Sequence, residues 1–130
     1  MIRILLVEKD KEKIKEFKKR FKEVFIDNHD LTIAKNANNA IKRLKEKKYD
    51  LILLGKQKEE VLASWIAEKR EKIQKTLKFP IFIHSMDAES AETMYKILTK
   101  ERILVRRVPY LWAKQNFNRY FNLELSGGIK

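Results

Sequence analysis

The sequence predicts an α/β fold, an open five-stranded parallel sheet covered by helices on both faces in three α/β/α layers. Three observations carry that prediction. Short apolar runs of strand length alternate five times with longer stretches of helical period. The run Leu51-Ile52-Leu53-Leu54 is apolar on both strand faces, the pattern of a strand covered from both sides. Five repeated strand–helix units joined by right-handed crossovers then give a parallel sheet. Three glycines and two prolines in 130 residues leave little room for linkers, so a single domain over residues 1–123 is expected, followed by a short tail, 124–130.

The elements come in this order. Ile2 to Val7 is rich in branched residues and reads as a buried strand. Ile14, Phe17, Phe21, Val24 and Phe25 fall on one helical face after Asp10, whose carboxylate can cap first-turn N–H groups. Leu31 to Ala34 makes a second, weaker strand. Asn36 or Asn38 can cap the next helix, whose apolar face is Ala37, Ala40, Ile41 and Leu44. Tyr49 to Leu54 is the clearest strand. One long helical pattern comes next, with Val61, Leu62, Trp65, Ile66 and Ile73. Pro80 introduces the short strand Ile81-Phe82-Ile83. Ala88, Ala91, Met94, Tyr95 and Leu98 form the face of a fourth helix; Arg102 to Val108 reads as the fifth strand and Leu111 to about Leu123 as the fifth helix.

Composition excludes several chemistries. With no cysteine, disulfide frameworks, thiolate nucleophiles and Cys-ligated zinc are out of reach. His29 and His84 are the only imidazoles, too few and too distant in sequence for a His-rich metal site. No apolar run approaches the ~20 residues of a membrane span, and the first residues lack a signal-peptide core. A soluble, cytoplasmic protein with no membrane partner is expected. There is no Gly-x-x-x-x-Gly-Lys loop, no Gly-x-Gly-x-x-Gly turn and no Gly-x-Ser-x-Gly elbow. Nor is Glu8-Lys9-Asp10-Lys11 the small-residue loop that a flavin phosphate wants. No cofactor, metal or catalytic residue is expected.

In an open parallel sheet, ligands gather at the carboxyl ends of the strands. There the sequence offers Glu8 to Asp10, Gly55, His84 to Met86 and Val108 to Tyr110. The segments Ile4-Leu5-Leu6-Val7-Glu8-Lys9-Asp10, Tyr49-Asp50-Leu51-Ile52-Leu53-Leu54, Pro80-Ile81-Phe82-Ile83-His84-Ser85 and Val108-Pro109-Tyr110 resemble, in order and separation, the four landmarks of a response-regulator receiver domain. The resemblance implies a doubly wound, flavodoxin-like (βα)5 fold and a place in two-component, phosphorelay-type signalling. It also implies a phosphoacceptor aspartate directly after the central strand, where this chain has Gly55. The family's pair of metal-binding acids falls on Glu8 and Lys9, and an ammonium opposes a dication. The family's lysine before proline falls on Val108, ahead of Pro109, and its switch aromatic on Val105. Only the hydroxyl survives, as Ser85.

The expected reading is therefore a pseudo-receiver, a non-catalytic module whose pocket residues Glu8, Lys9, Asp10, Gly55, Ser85, Val108 and Pro109 no longer support phosphoryl transfer to aspartate. An alignment that makes Asp10 or Asp50 the acceptor fits poorly, since Asp50 belongs at the opposite end of its strand. Lys9 has two readings. Its ammonium can sit between Glu8 and Asp10 in place of a cation, or it is simply solvated. Ser85 fits a backbone-bonding cap better than a signalling relic, and His84 a core or sheet-end residue better than a base.

Surfaces are then left to carry function. In the resembled family, the fourth helix, fifth strand and fifth helix form the partner and dimer face. Here the corresponding candidates are Tyr95, Arg106, Tyr110, Trp112 and Arg119. Phe117, Tyr120 and Phe121 share one helical face and read as core, which leaves Tyr110 and Trp112 to point elsewhere as exposed anchors. A signalling protein, or a second copy of the chain, is the expected partner. The alternative is nucleic acid, because the net charge is +12 and Trp and Tyr can stack on bases. Against it, the positive excess is spread over several helices, the usual pattern of solvated faces.

Overall fold

The computed structural model describes residues 1–121. Strands β1 (Ile2–Val7), β2 (His29–Ala34), β3 (Leu51–Leu54), β4 (Ile81–Ile83) and β5 (Val105–Arg107) pair in parallel, in the order β2-β1-β3-β4-β5. Between and after them run α1 (Lys11–Phe25), α2 (Ala37–Glu46), α3 (Glu59–Glu68), α4 (Arg70–Gln74), α5 (Ala88–Lys100) and α6 (Lys114–Phe121). This is the flavodoxin-like, doubly wound sheet expected, with the connections reversing direction between β1 and β3. The end of the fifth helix beyond Phe121 and the tail 124–130 lie outside the described residues.

Alternation along the strands divides the interior in two. Leu5, Val7, Ile52 and Leu54 face α2, α3 and α5, where Ala40, Leu62, Ile66, Met94 and Leu98 are buried against them. Ile4, Leu6, Leu51 and Leu53 face α1 and α6, which supply Phe17, Phe21, Phe117 and Phe121. On that side the rings pack edge to face or tilted, Phe21 against Phe117 at 5.5 Å and Phe117 against Phe121 at 4.6 Å. Central strands apolar on both faces are what this double cover requires.

The caps fall where the side chains allow. Asp10 accepts from the N–H groups of Glu12 and Lys13 to start α1, and Asn36, not Asn38, accepts from Asn39 N–H to start α2. Asp50 is buried at the amino end of β3, where it accepts from Arg3 N–H at 2.7 Å and has Lys78 Nζ at 3.7 Å. It belongs to the far end of the sheet from Gly55, as the sequence implied.

Other expectations need correction. The long helix after β3 is two helices, broken at Lys69, whose N–H is shared among the carbonyls of Trp65, Ile66 and Ala67. Val61 is exposed, because the buried stripe of α3 runs through Leu62, Ala63, Ile66 and Ala67. Ala88 and Tyr95 likewise lie outside the buried face of α5, which is Ser90, Ala91, Met94 and Leu98. The fifth strand starts at Val105 rather than Arg102. Arg102 has φ 62° and closes α5, its N–H bonded to Thr99 O at 2.9 Å while Ile103 N–H reaches Leu98 O at 3.2 Å. The last helix starts at Lys114, since Leu111 to Ala113 form a turn closed by Ala113 N–H to Tyr110 O.

Candidate functional site

Backbone pairing continues past the ends of the strands and sets the carboxyl edge in register. Glu8 N–H donates to Ala34 O, Gly55 N–H to Val7 O at 2.8 Å, and His84 N–H to Leu54 O at 2.9 Å. Glu8, Gly55 and His84 therefore stand side by side on three neighbouring strands. Glu8 and His84 are buried, the imidazole completely.

Gly55 is glycine for a steric reason. A Cβ there would lie 2.6 Å from Glu8 Oε1, 2.8 Å from His84 Cε1 and 2.8 Å from Val7 O. The carboxylate end can move, but the backbone carbonyl and the enclosed ring cannot move cheaply. The space a side chain would take at the end of the central strand is already filled by Glu8 and His84.

Glu8 is held from below. Its Oε2 accepts from Lys9 N–H at 3.1 Å and Asp10 N–H at 3.0 Å, and its Oε1 stands 3.4 Å from His84 Nδ1. Neither ring nitrogen of His84 has a hydrogen-bond partner among the described residues. Burial, with a smaller push from Lys13, lowers the His84 pKa to about 3, so the ring is neutral. Phe17 packs against the imidazole at 4.8 Å and Trp112 at 6.3 Å, both edge-on.

The remaining pocket residues turn away from this centre. Lys9 is exposed and forms no ion pair with Glu8 or Asp10 among the described residues, so the reading in which its ammonium replaces a cation is corrected. The backbone N–H groups that cradle Glu8 have taken that role. Asp10 spends Oδ1 on the α1 cap. Lys56, next to Gly55, reaches across to Asp87 at 2.8 Å. That hydrogen bond holds its ammonium above the usual lysine range and the Asp87 carboxyl below the usual carboxylate range. Ser85 Oγ accepts from Asp87 N–H at 3.2 Å, a turn that leads into the Asp87 cap of α5. Val108 is buried in the core beside Leu111, and Pro109 is exposed.

This donor set does not suit a divalent cation. One carboxylate is already satisfied by two backbone donors, a second caps a helix, and Gly55 on the adjacent strand end offers no side-chain oxygen. Among the described residues, no group of three or more His, Asp or Glu side chains is placed to hold a metal.

On the α5–β5–α6 face, Tyr95 and Tyr110 are exposed, the latter with φ 59°, and Arg106 and Arg119 are exposed as well. Arg107 pairs with Glu92 at 2.8 Å and lies 5.6 Å from the Tyr95 ring centre. Tyr120, expected in the core, is 37% exposed and touches Phe82 edge-on. Trp112, expected to be exposed, is half-buried between Phe17, His84 and Tyr110, with Lys13 Nζ 5.0 Å over its ring. Sequence reading missed Phe17 and Lys13 as neighbours of the edge. Their helical spacing shows only that they belong to α1, not which strand end α1 covers.

No protein-family model matches the sequence, and no curated protein matches it. Solved structures do match in fold. The Mn(2+)-bound form of response regulator Rcp1 aligns at TM-score 0.67 and 17% identity, covering 100% of this chain and 96% of that one. The signal receiver domain of an HD domain-containing protein from Pseudomonas fluorescens Pf-5 aligns at 0.69 and 15%, covering 97% and 95%. A de novo designed Rossmann 2x3 protein aligns at 0.61 and 20%, covering 98% and 92%. At such identities the likeness is one of fold, and the designed protein illustrates that this architecture alone carries no function.

Proposed function

We propose that the chain is a receiver-like signalling module of two-component type that does not accept phosphate through an aspartate and acts through protein contacts. The observation that carries this reading is the packed end of β3, where Gly55 leaves no side-chain oxygen and Glu8 and His84 occupy the space. Phosphoryl transfer to a carboxylate needs a nucleophilic oxygen there and a cation to screen the developing charge. The edge offers neither an oxygen on Gly55 nor a free set of cation ligands. The fold-level likeness to response regulators supports the signalling context. No enzymatic role is assigned.

The working surface in this reading is α5–β5–α6, through Tyr95, Arg106, Tyr110 and Arg119, with Trp112 as a half-buried support. Exposed tyrosines beside arginines are the composition of an interface anchor. The partner is a signalling protein or a second copy of the chain.

Titration with beryllofluoride and Mg²⁺, followed by amide NMR, tests the first half of the proposal. No shift is expected at Glu8, Gly55, Ser85 or their neighbours. Saturable shifts centred on that edge would overturn it. For the second half, Tyr110→Ala and Arg106→Glu are expected to weaken partner capture or self-association while leaving the melting temperature close to the parent's. Unchanged association by both variants would remove the face from the working surface.

A further inference from the structure

At the end of the sheet opposite Gly55, a cavity of about 290 Å³ opens between α2, α3 and α4 below the start of β3. Its walls are apolar, from Leu44, Ile52, Trp65 and Ile73. Lys45, Lys47, Lys48, Lys69 and Lys72 also line it, and among the described residues no carboxylate does. Lys47 is engaged with Asp30 at 2.9 Å, whereas the other four make no ion pair among the described residues. Tyr49 borders the cavity, 2% exposed, and its hydroxyl has no hydrogen-bond partner among the described residues. The neighbouring Thr76 hydroxyl is already spent, bonded to the carbonyls of Tyr49 and Ile73.

From this we infer that the cavity binds a small amphipathic anion, a monomeric carboxylic acid with a compact hydrocarbon body. The inference is independent of the phosphorylation reading, since it concerns the other end of the sheet. Lysine stems lie along apolar surface while their ammonium groups stay wet, so a ring of them around an apolar cleft makes a charged mouth above a dry floor. A neutral apolar molecule would leave that charge unused. An inorganic anion would leave the Trp65 and Ile52 surface unfilled. The acid group satisfies the lysines, and the body covers the walls. The volume lies just below the ~300–1,000 Å³ range of small-molecule pockets, which limits the ligand to a compact one. Four lysines that make no ion pair among the described residues also provide local positive potential that draws an anion in.

Trp65 is a built-in reporter. The experiment uses the full chain carrying Trp112→Phe, so that Trp65 alone emits, with decanoate below its micellar concentration as the probe. Decanol, inorganic phosphate and anionic phospholipid vesicles serve as separate arms. A saturable, one-to-one change in Trp65 emission with decanoate is expected. Decanol should bind at least about tenfold more weakly, and phosphate should not compete. Lys69→Glu combined with Lys72→Glu should weaken decanoate at least about tenfold. Both lysines are exposed, so this variant is expected to keep the parent's circular dichroism and melting temperature. No saturable change, equal affinity for decanol, competition by phosphate alone, or indifference to the charge reversal would each overturn the inference. A response to vesicles with none to monomeric decanoate would overturn it too, since that describes a membrane surface and not a cavity.

Discussion

Gly55 and His84 define the candidate site at the level of single residues, and each makes a prediction. A Cβ at Gly55 meets a backbone carbonyl and a buried ring. Gly55→Ala is therefore expected to cost ~1–3 kcal/mol in urea unfolding, the usual penalty of overpacking. A stability equal to wild type would mean that this edge is looser than the packing implies. His84 is neutral in the fold, with a pKa of about 3 against 6.5 for a free imidazole, mainly through burial. Between those values the unfolded chain binds a proton that the folded chain does not. The contribution is thus complete above pH 6.5 and lost as pH falls toward 3, at about 1.4 kcal/mol per pH unit. Glu8 and Lys13 are the charged groups facing the ring. The measurement is the difference in unfolding free energy between wild type and His84→Leu across that range. Wild type should lose the extra stability on acidification and the variant should not; parallel curves would contradict the assignment. This role of His84 was not legible in the sequence. Its neighbours Glu8, Phe17 and Gly55 come from elements far apart along the chain, and periodicity carries no such distance.

The local elements were largely legible because patterning and capping chemistry agree. Asp10 and Asn36 cap as their side chains suggest, and Ile81–Ile83 forms β4 as read. The misreadings share a cause: a local backbone choice overrode an apolar pattern. Arg102 looked like the first residue of a strand beside Ile103 and Leu104, yet it adopts a left-handed conformation that ends α5 with a paired set of carbonyls. Glycine holds that position in most helices closed this way. Arg102→Gly is accordingly expected to raise stability by about 1 kcal/mol, the cost of placing an L side chain in the left-handed region. Removing the α1 cap with Asp10→Ala is expected to lower stability by ~1 kcal/mol. Thermal melts of the two variants check both signs. A neutral or destabilising Arg102→Gly would show that its side chain makes a contact worth more than the strain.

For the whole molecule, the sheet order and its two cores arise from strands apolar on both faces, and so does the edge that brings Glu8, Gly55 and His84 together. The strand ends were legible because Glu8, Gly55 and His84 each come directly after an apolar run. The surface was less so. Tyr110 is exposed as expected, but Trp112 turns inward because α6 starts late and its preceding turn folds the indole over Phe17. The net charge of +12 separates the two readings of the surface. A nucleic-acid binder with six or more phosphate contacts would lose ~10³-fold or more in affinity between 50 and 200 mM salt. A surface built for protein contacts instead predicts no binding of mixed-sequence DNA or RNA even at the lower salt.

The most direct test of the central claim is intact-mass analysis after incubation with acetyl phosphate and Mg²⁺, on the wild-type chain and on Gly55→Asp. A filled carboxyl edge without cation ligands predicts no phosphoryl adduct on either protein, because restoring the carboxylate restores neither the cation site nor a lysine at Val108. A phosphoryl group on the wild-type chain, or on the new carboxylate of the variant, would contradict it.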